Sequence, residues 1–191
     1  FRYCSCPILA VTGTNGKSTV VELITHCLRQ AGYKAVAAGN IGVPLAEVVC
    51  KRGDLDFLVV EVSSFQLERI VQFTPLAAAL LNLSPDHLDR YPGTEEYYTA
   101  KLRIFENMTD VSHMILRHEL AHSPRVTAAL PAASEPAITF SADPADAASF
   151  GVNPEGILIY RSGGAVHPLF TSNKLRLCGR HNIENALATL A

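Results

Sequence analysis

Thr12-Gly13-Thr14-Asn15-Gly16-Lys17-Ser18-Thr19 holds the densest concentration of chemistry in the chain. Gly13 and Gly16 let backbone amides close around phosphate oxygens. The start of a following helix adds the positive end of its dipole, Lys17 brings a cation toward the terminal phosphates, and Ser18 or Thr19 offers a hydroxyl to Mg²⁺. The octapeptide therefore predicts binding of a nucleoside triphosphate. Val11 stands where the general phosphate-loop pattern has its first glycine, so this loop is a variant whose own first glycine is Gly13. A bare Gly-Lys-Ser triplet would read as a turn with a surface lysine, and the loop alone does not separate a kinase from a GTPase or a ligase.

Four further residues carry candidate chemistry. Glu61 ends the apolar run Phe57 to Val60. At the carboxyl end of a parallel strand, where open α/β folds bind ligands, a carboxylate facing a triphosphate is best used on Mg²⁺; elsewhere it would be a helix cap or a solvated side chain. Asp86 and His87 follow a later apolar run on the same expected edge. Asp86 is the orthodox partner for a hard cation, since imidazole is not a favoured magnesium ligand. Lys101, taken by itself, reads as a solvent-facing lysine on a helix.

The elements that must position these groups follow from periodicity and punctuation. Ile8 to Thr12 is an apolar strand entering the glycine loop, and Val20, Leu23, Ile24, Cys27, Leu28 and Ala31 then recur at helical spacing up to a terminating Gly32. Lys34 to Ala38 is a second strand, leading through Gly39-Asn40-Ile41-Gly42 to a short helix from Pro44. Phe57 to Val60 is a third strand, apolar on both faces. Leu76 to Leu81 is a fourth, preceded by Pro75 and broken by Asn82-Leu83-Ser84-Pro85-Asp86, and Glu95 to Asn107 is a helix. From about Asp110 the signal weakens: Ser112 to Leu116 and Ala137 to Phe140 are candidate strands across a Pro/Ala/Ser-rich connection. Gly156 to Tyr160 and Ala165 to Leu169 form a hairpin across Arg161-Ser162-Gly163-Gly164, and Gly179-Arg180-His181-Asn182 opens a last helix. The expected fold is α/β, a phosphate-loop-containing, mainly parallel sheet flanked by helices, with a small antiparallel appendage in the C-terminal third.

With 48% hydrophobic and 18% charged residues, the 191-residue chain can bury one substantial core, which argues for a single domain over residues 1–191. A net charge of −2 without a basic stripe argues against a nucleic-acid partner. No stretch is long and apolar enough for a membrane span, and Phe1 to Pro7 has no signal-peptide pattern. Cys4, Cys6, Cys27, Cys50 and Cys178 read as scattered, reduced thiols without metal or redox spacing. The chain begins without methionine and ends at Ala191 inside an apolar helical pattern, so a longer polypeptide is expected.

In order and spacing, the octapeptide and four later segments resemble the Mur ligase family, within the superfamily shared with folylpolyglutamate synthetases. Those segments are Gly39 to Gly42, Glu61-Val62-Ser63-Ser64-Phe65-Gln66-Leu67-Glu68, Asp86 to Tyr91 with Lys101 to Asn107, and Gly179 to Ala186. The Ser-Ser-Phe-Gln-Leu run is similar to that of the members that add D-glutamate to UDP-N-acetylmuramoyl-L-alanine; those adding the third residue typically carry a histidine after the two serines. The resemblance spans nearly the whole chain and is weakest from Asp110 to Asn173. There Leu116-Arg117-His118-Glu119-Leu120 replaces a family Asn-Asp motif, and no function is carried over.

The resemblance implies ATP-dependent amide formation through an acyl phosphate, in cytoplasmic peptidoglycan-precursor synthesis, with ATP and two Mg²⁺ ions. It implies catalytic roles for Lys17, His87 and Lys101, nucleotide contacts from Gly13, Thr14, Asn15, Gly16, Lys17, Ser18 and Thr19, and adenine contacts from Asn182 and Asn185. Asn40, Ser63 and Gln66 would orient the muramoyl-alanine end. Ser18, Glu61, His87 and a carbamylated Lys101 would serve the metal ions. It further implies a UDP-binding domain before this one and a D-glutamate-binding domain after it, a monomeric full-length enzyme, and an isolated fragment that is inactive. A folylpolyglutamate synthetase and an ATP-hydrolysing switch are the competing readings.

Overall fold

A computed structural model describes residues 4–51, 54–132, 136–176 and 179–191. Cys178 and the first three residues of the Phe1 to Pro7 segment lie outside the described residues. Nine strands form one sheet. β1 (Ile8–Thr12), β2 (Ala35–Gly39), β3 (Phe57–Glu61) and β4 (Ala77–Leu80) come from the first half of the chain. β5 (Met114–Arg117), β6 (Ile138–Phe140), β7 (Phe150–Val152), β8 (Ile157–Ser162) and β9 (Ala165–Thr171) come from the second. The strand order is β2-β3-β1-β4-β5-β6-β7-β8-β9. Pairing is parallel from β2 to β7 and antiparallel for β7-β8 and β8-β9.

Register explains the placement of the chemistry. Val11 lies opposite Glu61, Gly39 opposite Glu61, and Thr12 opposite Leu80. The loop, the carboxylate and the segment after β4 therefore leave the sheet on one edge. The interior strands are apolar on both faces because both are covered. Ile8, Leu58, Val60 and Leu80 pack with Leu102, Ile104 and Phe105 on one side, and Val11, Val20, Val59 and Leu187 pack together on the other. The helices are α1 (Lys17–Gln30), α2 (Leu45–Cys50), α3 (Ser64–Leu67), α4 (Thr94–Leu102), α5 (His118–Ala121), α6 (Pro124–Ala129) and α7 (Arg180–Leu190). Gly32 at φ 92 lies just beyond the end of α1, the left-handed position that a helix stop favours.

Several boundaries differ from the sequence reading. Val111–His113 is a 3-10 turn and the strand starts only at Met114, because Asp110 accepts bonds from the Ser112 amide and hydroxyl and caps that turn. The helix expected over Glu95 to Asn107 ends at Leu102 and tightens into a 3-10 turn over Arg103–Phe105. The Pro/Ala/Ser-rich connection holds α5 and α6. The expected antiparallel hairpin is present at the end of the sheet, where β7, a three-residue strand absent from the sequence reading, joins it to the parallel strands. Its turn is Gly163-Gly164, both at positive φ, the geometry of a tight two-residue hairpin. The cysteines are not all scattered either, since Cys4 and Cys6 bring their sulfurs to 3.7 Å. Burial pushes the Cys6 thiol up to about 11, with Cys4 adding to it.

Candidate functional site

The loop from Gly13 to Gly16 is held from outside itself. The Thr14 amide donates to the Asn82 carbonyl at 3.1 Å. The Asn82 side chain accepts from the Asn15 amide at 2.9 Å and donates to the Asn15 carbonyl at 3.0 Å. The Thr14 hydroxyl donates to the Ser84 carbonyl and accepts from its amide, both at 3.1 Å, and Tyr97 donates to the same hydroxyl at 3.3 Å. Asn82 and Ser84, legible in sequence only as strand breakers, are thus the clamp on the phosphate loop. Gly16 caps α1 at φ 86 with no side-chain cap, which leaves the first amides of α1 without a side-chain acceptor of their own. Lys17 folds back so that Nζ donates to the Thr14 carbonyl at 2.9 Å.

Glu61 is 2% exposed and engaged at both oxygens. Ser18 Oγ donates to Oε2 at 2.7 Å and Asn40 Nδ2 donates to Oε1 at 3.1 Å. The chain can approach this closely because Gly39 sits at φ 123, where a Cβ would lie 2.2 Å from the Glu61 carbonyl oxygen. A hydroxyl beside a carboxylate is a hard-oxygen donor pair that fits Mg²⁺. His87 takes a left-handed backbone, φ 53, and its amide donates to Asp86 Oδ1 at 2.8 Å. Its ring stands 5.0 Å from Phe65 and 5.9 Å from Tyr97 between centroids, with Nε2 3.7 Å from Asp86 Oδ2. Among the described residues no three His, Cys, Asp or Glu side chains converge on a single point, so a second ion would need oxygens from elsewhere.

Lys101 corrects the reading of an exposed lysine: it is 2% exposed. Nζ donates to the Gly13 carbonyl at 2.8 Å and stands 4.7 Å from the Tyr97 ring centroid. Burial first and the Lys17 charge second lower its pKa, Asp86 and Glu61 oppose them, and together they bring it to about 7. Its position was hidden in plain periodicity, because Tyr97, Ala100, Lys101 and Ile104 share the inner face of α4 and its continuation, and all are buried.

Ser63 and Gln66 form a capping box at α3. Gln66 Oε1 accepts from the Ser63 amide at 2.9 Å and from its hydroxyl at 3.0 Å, while the Gln66 amide donates to Ser63 Oγ. At α7, Asn185 Nδ2 lies 3.4 Å from Asn182 Oδ1, and a Cβ on Gly16 would meet Asn185 Oδ1 at 2.5 Å. The last helix therefore rests on the phosphate loop. Arg117, in the stretch without an assigned role, reaches Glu184 of α7 at 2.9 Å.

A phosphate loop, a buried glutamate fixed by Ser18 and a buried lysine on Gly13 make up one edge of this sheet, and the Mur ligase middle domain family matches residues 11–191. The chain belongs to the Mur ligase family. It is 40% identical over 190 residues to the UDP-N-acetylmuramoylalanine--D-glutamate ligase of Geotalea uraniireducens, an alignment covering 100% of this chain and 41% of that protein. The chain thus spans about two-fifths of the length of the curated relatives it matches. Among solved structures, MurF from Acinetobacter baumannii superposes with a TM-score of 0.72 at 17% identity, covering 99% of this chain and 42% of that one. MurF ligase from Thermotoga maritima in complex with ADP superposes at 0.68 with 16% identity, covering 97% and 44%. These two show that the Mur ligase fold is shared. No helix among the described residues is long and apolar enough to cross a membrane.

Proposed function

We propose that this chain is the ATP- and Mg²⁺-binding part of a cytoplasmic, monomeric ligase that joins D-glutamate to UDP-N-acetylmuramoyl-L-alanine. The observation that carries this reading is the Ser18–Glu61 pair at 2.7 Å beside the Gly13–Lys17 loop, in a chain 40% identical to a protein named for that reaction. The ADP complex of a fold relative supports nucleotide use by this chain. In the reaction, the alanine carboxylate attacks the γ-phosphorus of ATP, releasing ADP and forming an acyl phosphate. The amine of D-glutamate then attacks the acyl carbon and expels inorganic phosphate.

Each residue has a task in that sequence. Two anions must meet in the first step, so Lys17 swings from the Thr14 carbonyl to the phosphates and neutralises charge there. The backbone amides of Gly13, Thr14, Asn15 and Gly16 and the hydroxyls of Ser18 and Thr19 line the phosphates, and Asn182 and Asn185 take adenine. Asn40, Ser63 and Gln66 orient the muramoyl-alanine end. Ser18 and Glu61 hold Mg²⁺, which when bound offsets phosphate charge. The neutral Lys101 amine adds to CO₂ and releases a proton to give a carbamate, a reaction favoured by burial that makes the neutral amine available near neutral pH, and with His87 that carbamate would serve a second ion. UDP and D-glutamate are held by chain outside these 191 residues. Alone, the fragment binds nucleotide and forms no amide, because correct orientation of both reactants accounts for roughly 7–11 kcal/mol of barrier lowering.

The test is phosphate release by the full-length protein. Release should require both UDP-N-acetylmuramoyl-L-alanine and D-glutamate, and Glu61→Gln should shift the Mg²⁺ titration to higher concentration. ATP turnover without either substrate would establish a switch instead.

A further inference from the structure

Outside the phosphate-loop edge, one side-chain pair has the chemistry of a ligand site and no role in the reaction above. Residues 118–122 read His-Glu-Leu-Ala-His, two histidines four apart with a glutamate after the first, a spacing that sets both rings on one helical face. The structure brings them together. His118 Nε2 and His122 Nε2 lie 3.4 Å apart, with ring centroids at 4.8 Å and planes at 78°. Both rings line a cavity of about 450 Å³, whose wall also includes Leu116, Thr127, Thr139 and Ser149. His118 Nδ1 is buried with no hydrogen-bond partner among the described residues, so the free face of the ring is its Nε2 side, turned to His122.

The separation decides which ligand fits. With metal–nitrogen bonds of about 2.0–2.1 Å and tetrahedral angles, two imidazole nitrogens on one zinc ion stand about 3.3–3.4 Å apart. Imidazole pairs suit borderline ions of the zinc, copper and nickel group and not Mg²⁺. We propose that His118 and His122 form a two-point site for a divalent transition ion of the zinc class, independent of the phosphate-loop edge. The site is not that of a metallopeptidase. Glu119, which would be the base in such an enzyme, is 62% exposed and paired with Arg117 at 3.4 Å, and among the described residues no third His, Cys, Asp or Glu joins the two rings. The remaining coordination positions belong to water, so the ion exchanges freely and stiffens the β5–α5–α6 corner.

The 191-residue chain, titrated calorimetrically with ZnCl₂ in excess Mg²⁺, should bind one equivalent, and its Tm should rise with Zn²⁺. His122 is exposed, so His122→Gln should fold normally; it should weaken that equivalent at least tenfold and abolish the Tm rise. Cys4→Ser/Cys6→Ser, which removes the neighbouring thiols, should change neither. Equal zinc affinity in His122→Gln and the parent, or loss of the site only in the cysteine variant, would overturn the proposal.

Discussion

The sheet carries two unlike regions. Around β1, β3 and β4, polar groups are buried and their partners come from far along the chain: Ser18 to Glu61, Thr14 to Ser84, Lys101 to Gly13. Around β7 to β9, partners are neighbours: Asn153 bonds the Ile157 amide, the Phe150 and Tyr160 rings stack at 4.7 Å, and Gly163-Gly164 closes the turn. β9 is mostly exposed and carries Pro168, which blunts the open edge against pairing with another chain. The first region spends stability on placing charge. The second closes the sheet with local contacts and carries little buried charge.

The same substitution in each region separates them most sharply. Gly39→Ala drives a Cβ into the Glu61 carbonyl at a positive φ and should cost roughly 3–5 kcal/mol in urea unfolding. A cost below about 1 kcal/mol would mean the Glu61 edge is softer than its packing suggests. Next in size, Lys17→Ala should weaken ATP binding about 10- to 100-fold, the worth of a charged hydrogen bond, while leaving the urea midpoint in place. Unchanged affinity would remove Lys17 from the nucleotide site.

Lys101 supplies a pH signature. Its pKa is about 7 in the fold against an ordinary 10.5, so between these values the unfolded chain holds a proton that the native one lacks, and stability rises with pH. In CO₂-free, Mg²⁺-free buffer, the parent should gain up to about 1.4 kcal/mol per pH unit across that window relative to Lys101→Met. The variant should be the more stable of the two at pH 7. Parallel curves for the two proteins would return Lys101 to solvent. Smallest of all, Gly163→Ala in the hairpin turn, at φ 58 with nothing within 4 Å, should cost about 1 kcal/mol from backbone strain alone. A larger loss would show that the hairpin matters more to the sheet than its local contacts imply.

The same division governs what could be read in advance. The strand, glycine loop and helix over Ile8 to Gly32 were legible because periodicity and punctuation agree there, and Glu61 because it ends an apolar strand. Asn82 was legible only as a breaker, since a side chain clasping Asn15 across 67 residues leaves no local pattern. Lys101 came from resemblance and not from residue type, for a lysine on an inner helical face contradicts the usual rule of exposure. Ser63 and Gln66 were named only as substrate contacts implied by the resemblance, and the capping box they form at α3 came from the structure. β7 was missed because Phe150-Gly151-Val152 is too short to display alternation. The pairing of His118 with His122 was in the letters but went unread without the turn that faces the rings together.

Asn185 against Gly16 sets an order on folding. β1 is central, yet its partners β3 and β4 begin roughly 45 to 70 residues later, and the helix that rests on its loop follows them in the chain. Such non-local contacts close slowly, because chain entropy must be lost before they reward it. During synthesis the phosphate loop precedes the helix that covers it, and stays uncovered until Arg180 to Leu190 leaves the ribosome. Nucleotide binding should therefore mature only once α7 has been made, and free ATP would act as a template that favours docking of that helix.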